Sequence, residues 1–302
     1  MPAVCAAILL TRWVIDRQRP TIRQLLLTAV IVLVSSAALV WTGYGFNIRA
    51  FVTGVSEIAR IDREGMNSYA LGRWTTNGWW WYFPLSLGLK TTLPFLALFT
   101  AGFIVKPRRV FIEFTAASIA ILMIASRSRL DIGVRYVLPV FIPMTIAVAA
   151  ATLAMMQRAR WIAITLILLH LGSSIAAHPD YFPYFNVIAG SDPSRFLIDS
   201  NLDWEQDALR LRHVVRELKI ESLMVRDIGA IDYARLGFPH VERYYSPFTT
   251  LHGWVAIGDS YYREGLSQYG WPQLRGLPYR RVGKSIRLYC VECGAHGAAL
   301  GN

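Results

Sequence analysis

The sequence predicts a mixed architecture: a polytopic α-helical membrane bundle over residues 1–177, followed by a small soluble α/β domain over residues 178–302. Three observations predict it. Hydrophobic residues make up 54% of the 302, and they gather into runs that approach the ~20 residues a helical span needs. Charge divides the chain at the same place: residues 1–177 hold 17 Lys and Arg against 6 Asp and Glu, whereas residues 178–302 hold 14 of each, so the net charge of +11 sits in the apolar portion. The tail lacks such runs and alternates short β-rich stretches with helical patterns.

An excess of Arg and Lys that flanks hydrophobic runs points to a membrane; a nucleic-acid binder would carry it on a polar surface, so no nucleic-acid partner is expected. The three cysteines, Cys5, Cys290 and Cys293, are too few for a disulfide framework and lack the second pair of a structural zinc site. The ordinary reading of Cys290-Val291-Glu292-Cys293 is two residues that end a strand and are oxidised together; a redox-catalytic role is the lesser alternative. No protein-bound metal is expected.

In chain order, Pro2 to Leu10 is a nine-residue apolar piece followed by Arg12, Arg17, Arg19 and Arg23. A signal peptide has the reverse order of charge and apolar run, so the piece reads as the end of a helix whose beginning precedes Met1. Leu25–Trp41, Trp79–Val105, Val110–Ala125, Tyr136–Met156 and Trp161–Ala177 are the five predicted spans. The basic turns Arg12–Arg23, Lys106–Arg109 and Arg158–Arg160 fall together on one side, the cytoplasmic side by the positive-inside rule. The opposite side receives the loop 44–78, the loop 127–135 and the tail. In the first of these, Asn47 to Arg63 repeats Ile48, Phe51, Val52, Val55, Ile58 and Ile61 at helical spacing, which predicts an amphipathic helix along the membrane surface. Trp79 to Phe83 reads as an aromatic belt at the next span.

In the tail, strands are expected at Phe196–Ile198, Ser222–Val225, Trp254–Ile257 and Ser285–Val291. Helices are expected at Asp203–Lys219, capped by Asn201 or Asp203, and near Ile231–Leu236 and Tyr261–Tyr269. The tail carries no dinucleotide fingerprint, no phosphate-binding glycine loop of the Walker type and no nucleophile elbow.

The segment Ser126 to Tyr136 places Arg127, Arg129 and Arg135 with Asp131 between two apolar runs. Charge is costly there unless it has a task, and a guanidinium fork fits phosphate oxygens with two parallel hydrogen bonds. These three arginines are therefore candidates to hold a lipid phosphate, with Lys90, inside an apolar run, as a fourth. The alternatives are loop charges at the surface for Arg127 and Arg129, an i−4 ion pair with Asp131 for Arg135, and snorkelling or pairing with Asp131 or Glu64 for Lys90. His170, alone in the last run, reads as a packing residue before a proton relay.

Three segments carry a resemblance: Gly78-Trp-Trp-Trp-Tyr-Phe-Pro84 with Leu89-Lys-Thr-Thr-Leu-Pro94, Asp131-Ile-Gly-Val-Arg-Tyr-Val-Leu-Pro139, and His178-Pro-Asp-Tyr-Phe-Pro-Tyr-Phe-Asn186 with Asp199-Ser-Asn-Leu-Asp-Trp-Glu-Gln-Asp207. Together they resemble the C-terminal half of bacterial polytopic, polyprenyl-phosphate-dependent glycosyltransferases of the GT-C fold, related to protein mannosyltransferases and aminoarabinose transferase. Glu205 stands where that family usually has glycine, and Thr92 where it usually has proline.

The resemblance implies sugar transfer from a polyprenyl-phosphate donor to an acceptor hydroxyl, in the bacterial inner membrane, with the tail on the external, periplasmic side. It makes Asp131, Tyr136, Asn186, Asp199, Asn201, Asp203 and Gln206 motif positions. Capping and turn formation explain most of the polar group from Asp199 to Gln206 without it. The family's catalytic carboxylate lies in the first external loop, which would precede Met1, so no catalytic residue is expected in this chain. The resemblance also implies membrane lipid as a partner, leaves room for an upstream-encoded membrane partner, and allows a divalent cation in the complete enzyme. The alternative class is a non-catalytic membrane subunit or remnant that binds carrier lipid or scaffolds a partner. A transporter is the weakest, because the tail is large and no inverted repeat or broken-helix pair is expected.

Overall fold

The computed structural model describes residues 8, 11, 21–105, 109–246, 249–268 and 270–292. The chain divides into two compact units, a helical one (residues 1–68 with 74–176) and an α/β one (residues 69–73 with 177–302).

In the helical unit, α1 (Ile22–Gly43) begins with a capping box in which Thr21 and Gln24 each receive the other's backbone N–H. Its apolar side chains, Leu26, Leu33 and Leu39 among them, face outward. The amphipathic helix is α2 (Ile48–Glu64), capped by the Asn47 side chain on the Ala50 N–H. A hairpin of β1 (Ser68–Ala70) and β2 (Arg73–Thr75) follows in the chain, turning through Leu71 and Gly72, both at positive φ.

The predicted span Trp79–Val105 is not one helix: α3 (Tyr82–Lys90) and α4 (Leu93–Ile104) meet at a bend of 116°. The cause is Pro94, which has no N–H to give to the Lys90 carbonyl and whose ring would collide with it in a continuous helix. Thr91 and Thr92 are extended across the break. A broken pair is therefore present, against the expectation from sequence.

After α5 (Arg109–Ala125) the chain forms a 3₁₀ turn at Val134–Val140 that runs into α6 (Phe141–Met156), and α7 (Arg160–Ala176) follows. Pro139 and Pro143 explain the tightened start, each removing one helical donor. Five spans were expected, whereas among the described residues two stretches, Ile22–Gly43 and Val134–Met156, are long and apolar enough to cross a membrane. A third is added if α3 and α4 count as one. The helix α7 has 17 residues and is apolar but shorter. Small residues let these helices approach closely: Ala147, Ala150 and Ala151 of α6 pack with Phe111, and a Cβ on Gly102 would lie 2.1 Å from the Phe111 ring. Phe95, Leu98, Met144, Val148, Met155 and Ala163 form a second cluster.

The α/β unit holds α8 (Ala208–Glu217), β3 (Ser222–Arg226), β4 (His240–Arg243), β5 (Gly253–Gly258), α9 (Asp259–Gln268), β6 (Tyr279–Val282) and β7 (Ile286–Val291). The sheet order is β4-β3-β5-β7-β6, with β3 parallel to β4 and β5, and β7 antiparallel to β5 and β6. Strand alternation sorts the side chains onto two covered faces. Leu223, Val225, Ala256 and Leu288 pack with Leu211, Val214 and Val215 of α8. Met224, Val255, Ile257 and Tyr289 pack with Trp271, Leu274 and the partly buried Tyr262 of α9.

Several expectations are corrected here. Phe196–Ile198 is not a strand; Leu197 makes an isolated bridge with Ala70. The helix expected from Asp203 starts at Ala208, with neither Asn201 nor Asp203 as its cap, because side chains before it capture the backbone donors. Glu205 N–H donates to Asp203 Oδ1 and Trp204 N–H to Gln206 Oε1. In place of the helix expected near Ile231–Leu236, residues 233–237 form a turn, ended by Gly237 at φ +70°. Cys290, in β7, is disulfide-bonded; Cys5 and Cys293 lie outside the described residues, as do the basic turns 12–19 and 106–108.

Candidate functional site

The basic loop is anchored from both ends. Where α5 ends, Ser126, Arg127 and Ser128 still donate to carbonyls of the last turn, after which Ser128 Oγ and the Arg129 N–H both donate to Asp62 Oδ1, at 2.6 and 2.8 Å. The Arg129 guanidinium reaches the Arg63 carbonyl at 3.1 Å. Asp62 and Arg63 belong to the last turn of α2, so the amphipathic helix carries the support of the loop.

On the other side, the Trp79 N–H donates to Asp131 Oδ2 at 2.5 Å. Gly78 makes this approach possible. It sits at φ +72°, and a Cβ there would come within 2.8 Å of the Ser128 carbonyl and 3.2 Å of Asp131 Oδ2. Asp131 is buried, and its Oδ1 has no hydrogen-bond partner among the described residues. Burial pushes its pKa up to about 6, opposed by the Trp79 N–H and reinforced by the Asp62 carboxylate.

The loop's cations differ in setting. Arg127 and Arg129 are exposed, and Arg135 is half-buried with its guanidinium 5.2 Å from the centre of the exposed Tyr136 ring. Lys90 ends α3 at the break and is half-buried. Of the acids considered for it, Glu64 is held by Arg60 at 2.6 Å and Asp131 by Trp79. His170 Nδ1 lies 2.7 Å from Thr92 Oγ1 and the ring packs near Phe95, so it ties α7 to the broken pair.

The remaining motif positions belong to the α/β unit, and most hold turns. Asn186 accepts from the Ile188 N–H at 3.1 Å, and the buried Asn201 donates to the Ile198 carbonyl at 3.3 Å. Asp199, at φ +58°, receives the Ser200 N–H and gives its own N–H to Ser260 Oγ. Gln206 donates to the Leu202 carbonyl at 3.0 Å.

Asp203 is different. It is 4% exposed, and a Cβ on Gly258 would sit 2.4 Å from its Oδ2, so the glycine at the end of β5 is what admits it. Burial pushes its pKa up to about 7, against the hydrogen bond from the Glu205 N–H. Glu205, where the resembling family has glycine, has φ +62°, a conformation that favours glycine. Its carboxylate meets this strain by accepting from the Gly229 and Ala230 N–H groups at 2.9 and 3.1 Å.

Two residues escaped the sequence reading. Asp62 looks like one more polar residue on a surface helix. Asp207 is fully buried and accepts from Lys284 N–H, Ser285 N–H and Ser285 Oγ, pinning the turn that enters β7. The signal for Asp207 was the acid-rich run that contains it; for Asp62 there was none.

Fold and loop together define a membrane-associated protein of mixed class, with two helices among the described residues long and apolar enough to cross a bilayer and a five-stranded α/β unit. No protein-family model, curated protein or solved structure matches the chain. Among the described residues no three His, Cys, Asp or Glu side chains gather as a metal-ligand set.

Proposed function

We propose that the chain is the C-terminal part of an integral-membrane glycosyltransferase that moves a sugar from a polyprenyl-phosphate carrier to an acceptor hydroxyl. In this proposal α1, the pair α3–α4, α5, α6 and α7 are five crossings, α2 lies along the surface, and the basic loop and the α/β unit share the external side of a bacterial inner membrane. The residues of this chain hold the donor. When the anomeric carbon leaves the lipid phosphate, negative charge grows on the phosphate oxygens, and preset guanidinium groups stabilise it.

The observation that carries the proposal is the rigid mounting of the arginine loop at the head of an apolar span. Asp62 takes the Arg129 N–H and the Ser128 hydroxyl, and Asp131 takes the Trp79 N–H, so both carboxylates brace the backbone that carries the arginines. Arg127 and Arg129 stay exposed where a headgroup would lie. Lys90 adds a basic group at the break of the helix pair; irregular backbone at membrane depth is tolerated where it is buried in protein or lines a water-filled cavity.

The test is binding of a polyprenyl phosphate, compared with the polyprenol of equal length, to the full chain in lipid nanodiscs. The phosphate should bind more tightly. Arg135→Ala and Arg127→Ala should each weaken it roughly tenfold, from the ~1.5 kcal/mol of a charge-assisted hydrogen bond, and leave the alcohol unchanged. Equal binding of phosphate and alcohol, or no loss in the double variant, refutes the proposal.

A further inference from the structure

The stretch Tyr181 to Gly190 contains no charged residue. Within it Tyr181 is 58%, Phe182 41%, Val187 84% and Ile188 60% exposed. Exposed apolar side chains are common one at a time, but four within eight residues of an otherwise well-packed unit are not.

They are also held outward rather than left loose. Pro183, Asn186 and Ala189 are buried, and between them the chain makes a 3₁₀ turn over Val187–Ala189. Asn186 fixes both ends of that turn: its side chain accepts from the Ile188 N–H at 3.1 Å and its carbonyl from the Ala189 N–H at 3.0 Å. Gly190, at φ +65°, lets the chain return. Val187 and Ile188 are thereby the tip of a pinned turn.

We infer that this turn inserts into the interfacial zone of the lipid bilayer and docks the α/β unit on the membrane. Two observations choose lipid over another occupant. The first is tether length. Phe182 follows the end of α7 at Ala176 by six residues, so its Cα lies within about 20 Å of that helix end. The second is charge. The acids that flank the stretch are both ion-paired, Asp180 with Arg210 at 2.6 Å, a guanidinium it shares with the buried Asp207, and Asp192 with Arg263 at 2.6 Å, so neither presents a bare carboxylate to an anionic headgroup layer. Tyrosine and phenylalanine beside Val and Ile are the side chains that settle at that depth. The inference rests on α7 being membrane-embedded, as in the function proposed above, and is independent of sugar transfer.

The experiment uses the full chain, kept under non-reducing conditions so that the disulfide at Cys290 stays intact, reconstituted into liposomes with an environment-sensitive fluorophore on one introduced cysteine; the chain without an introduced cysteine gives the background. Val187→Cys and Ile188→Cys carry the test. Leu169→Cys, an outward-facing site on α7, reports the membrane, and Glu221→Cys, an exposed site of the α/β unit, reports water. Labels at 187 and 188 should emit at shorter wavelength than the one at 221, be quenched by nitroxide near the lipid headgroups and resist iodide. Iodide quenching equal to that at 221 overturns the inference. So does a shifted emission that lipid nitroxides leave untouched, since a protein surface then covers the turn. If the label at 169 also escapes lipid quenching, the membrane placement of α7 falls with it; lipid quenching at 169 but not at 187 removes the docking turn alone.

Discussion

Replacing Asp203 by asparagine should abolish one pH dependence of the α/β unit. Folded, Asp203 keeps its proton up to about pH 7; its ordinary value is 3.8. Between these values the folded state binds more protons than the unfolded state, so stability falls as pH rises, by at most about 1.4 kcal/mol per unit for one group. The full window corresponds to about 4 kcal/mol, and the stretch from pH 5 to pH 7 to about 3 kcal/mol. Below pH 4 the contribution is wholly present; above pH 7 it is lost. The side chain is almost fully buried, so solvent does not screen the effect away.

The asparagine amide would keep the acceptor for the Glu205 N–H and carry no charge at any pH. Amide exchange of β3 and β5, measured on the solubilised full chain and corrected for intrinsic rates, reads the difference. Wild-type protection should drop about 100-fold between pH 5 and pH 7, two units of linkage at one proton. The Asp203→Asn variant should lack this drop. If both proteins show the same pH dependence, Asp203 is not the group that titrates, and the burial argument for its raised pKa is wrong.

Three further outcomes follow from the same contacts. Gly78→Ala places a Cβ at positive φ against the Ser128 carbonyl, costing about 2–4 kcal/mol of local order, so trypsin should cut at Arg127 and Arg129 faster than in wild type; an unchanged rate would mean that Gly78 does not hold the loop. Asp207→Ala leaves the Lys284 N–H and both Ser285 donors without their acceptor, worth about 3–5 kcal/mol, and should show as lost exchange protection across β7. Glu205→Gly relieves about 1 kcal/mol of backbone strain but frees the loop it clamps. Gly229 and Ala230 amides should then exchange faster while the midpoint of unfolding shifts little, and a large loss of stability would contradict this balance.

The periodic elements were legible. The 3.6-residue repeat from Ile48 to Ile61 gave α2 to within a residue at each end, and the runs of β-branched and large apolar residues gave β3, β5 and β7. The strands β4 and β6 were missed because they are the edges of the sheet. An edge strand is half-solvated and carries polar residues, so His240-Val-Glu-Arg243 and Tyr279-Arg-Arg-Val282 show no hydrophobic signal. Hydropathy also hid the break within Trp79–Val105, since an average over the run does not register the donor that Pro94 removes.

Read alone, the chain establishes a division of labour: an apolar, basic first part, a charge-balanced tail, and arginines in a short loop where charge is costly. Composition and periodicity are local properties, and local physics is enough to read them. Packing in three dimensions selects which groups support that loop and which acids are buried. Asp62 reaches residues 66 and 67 positions away, and Asp207 reaches 77 and 78. Such pairings are set by which surfaces come together, and a carboxylate's burial, hydrogen-bond partners and proton affinity all follow from them.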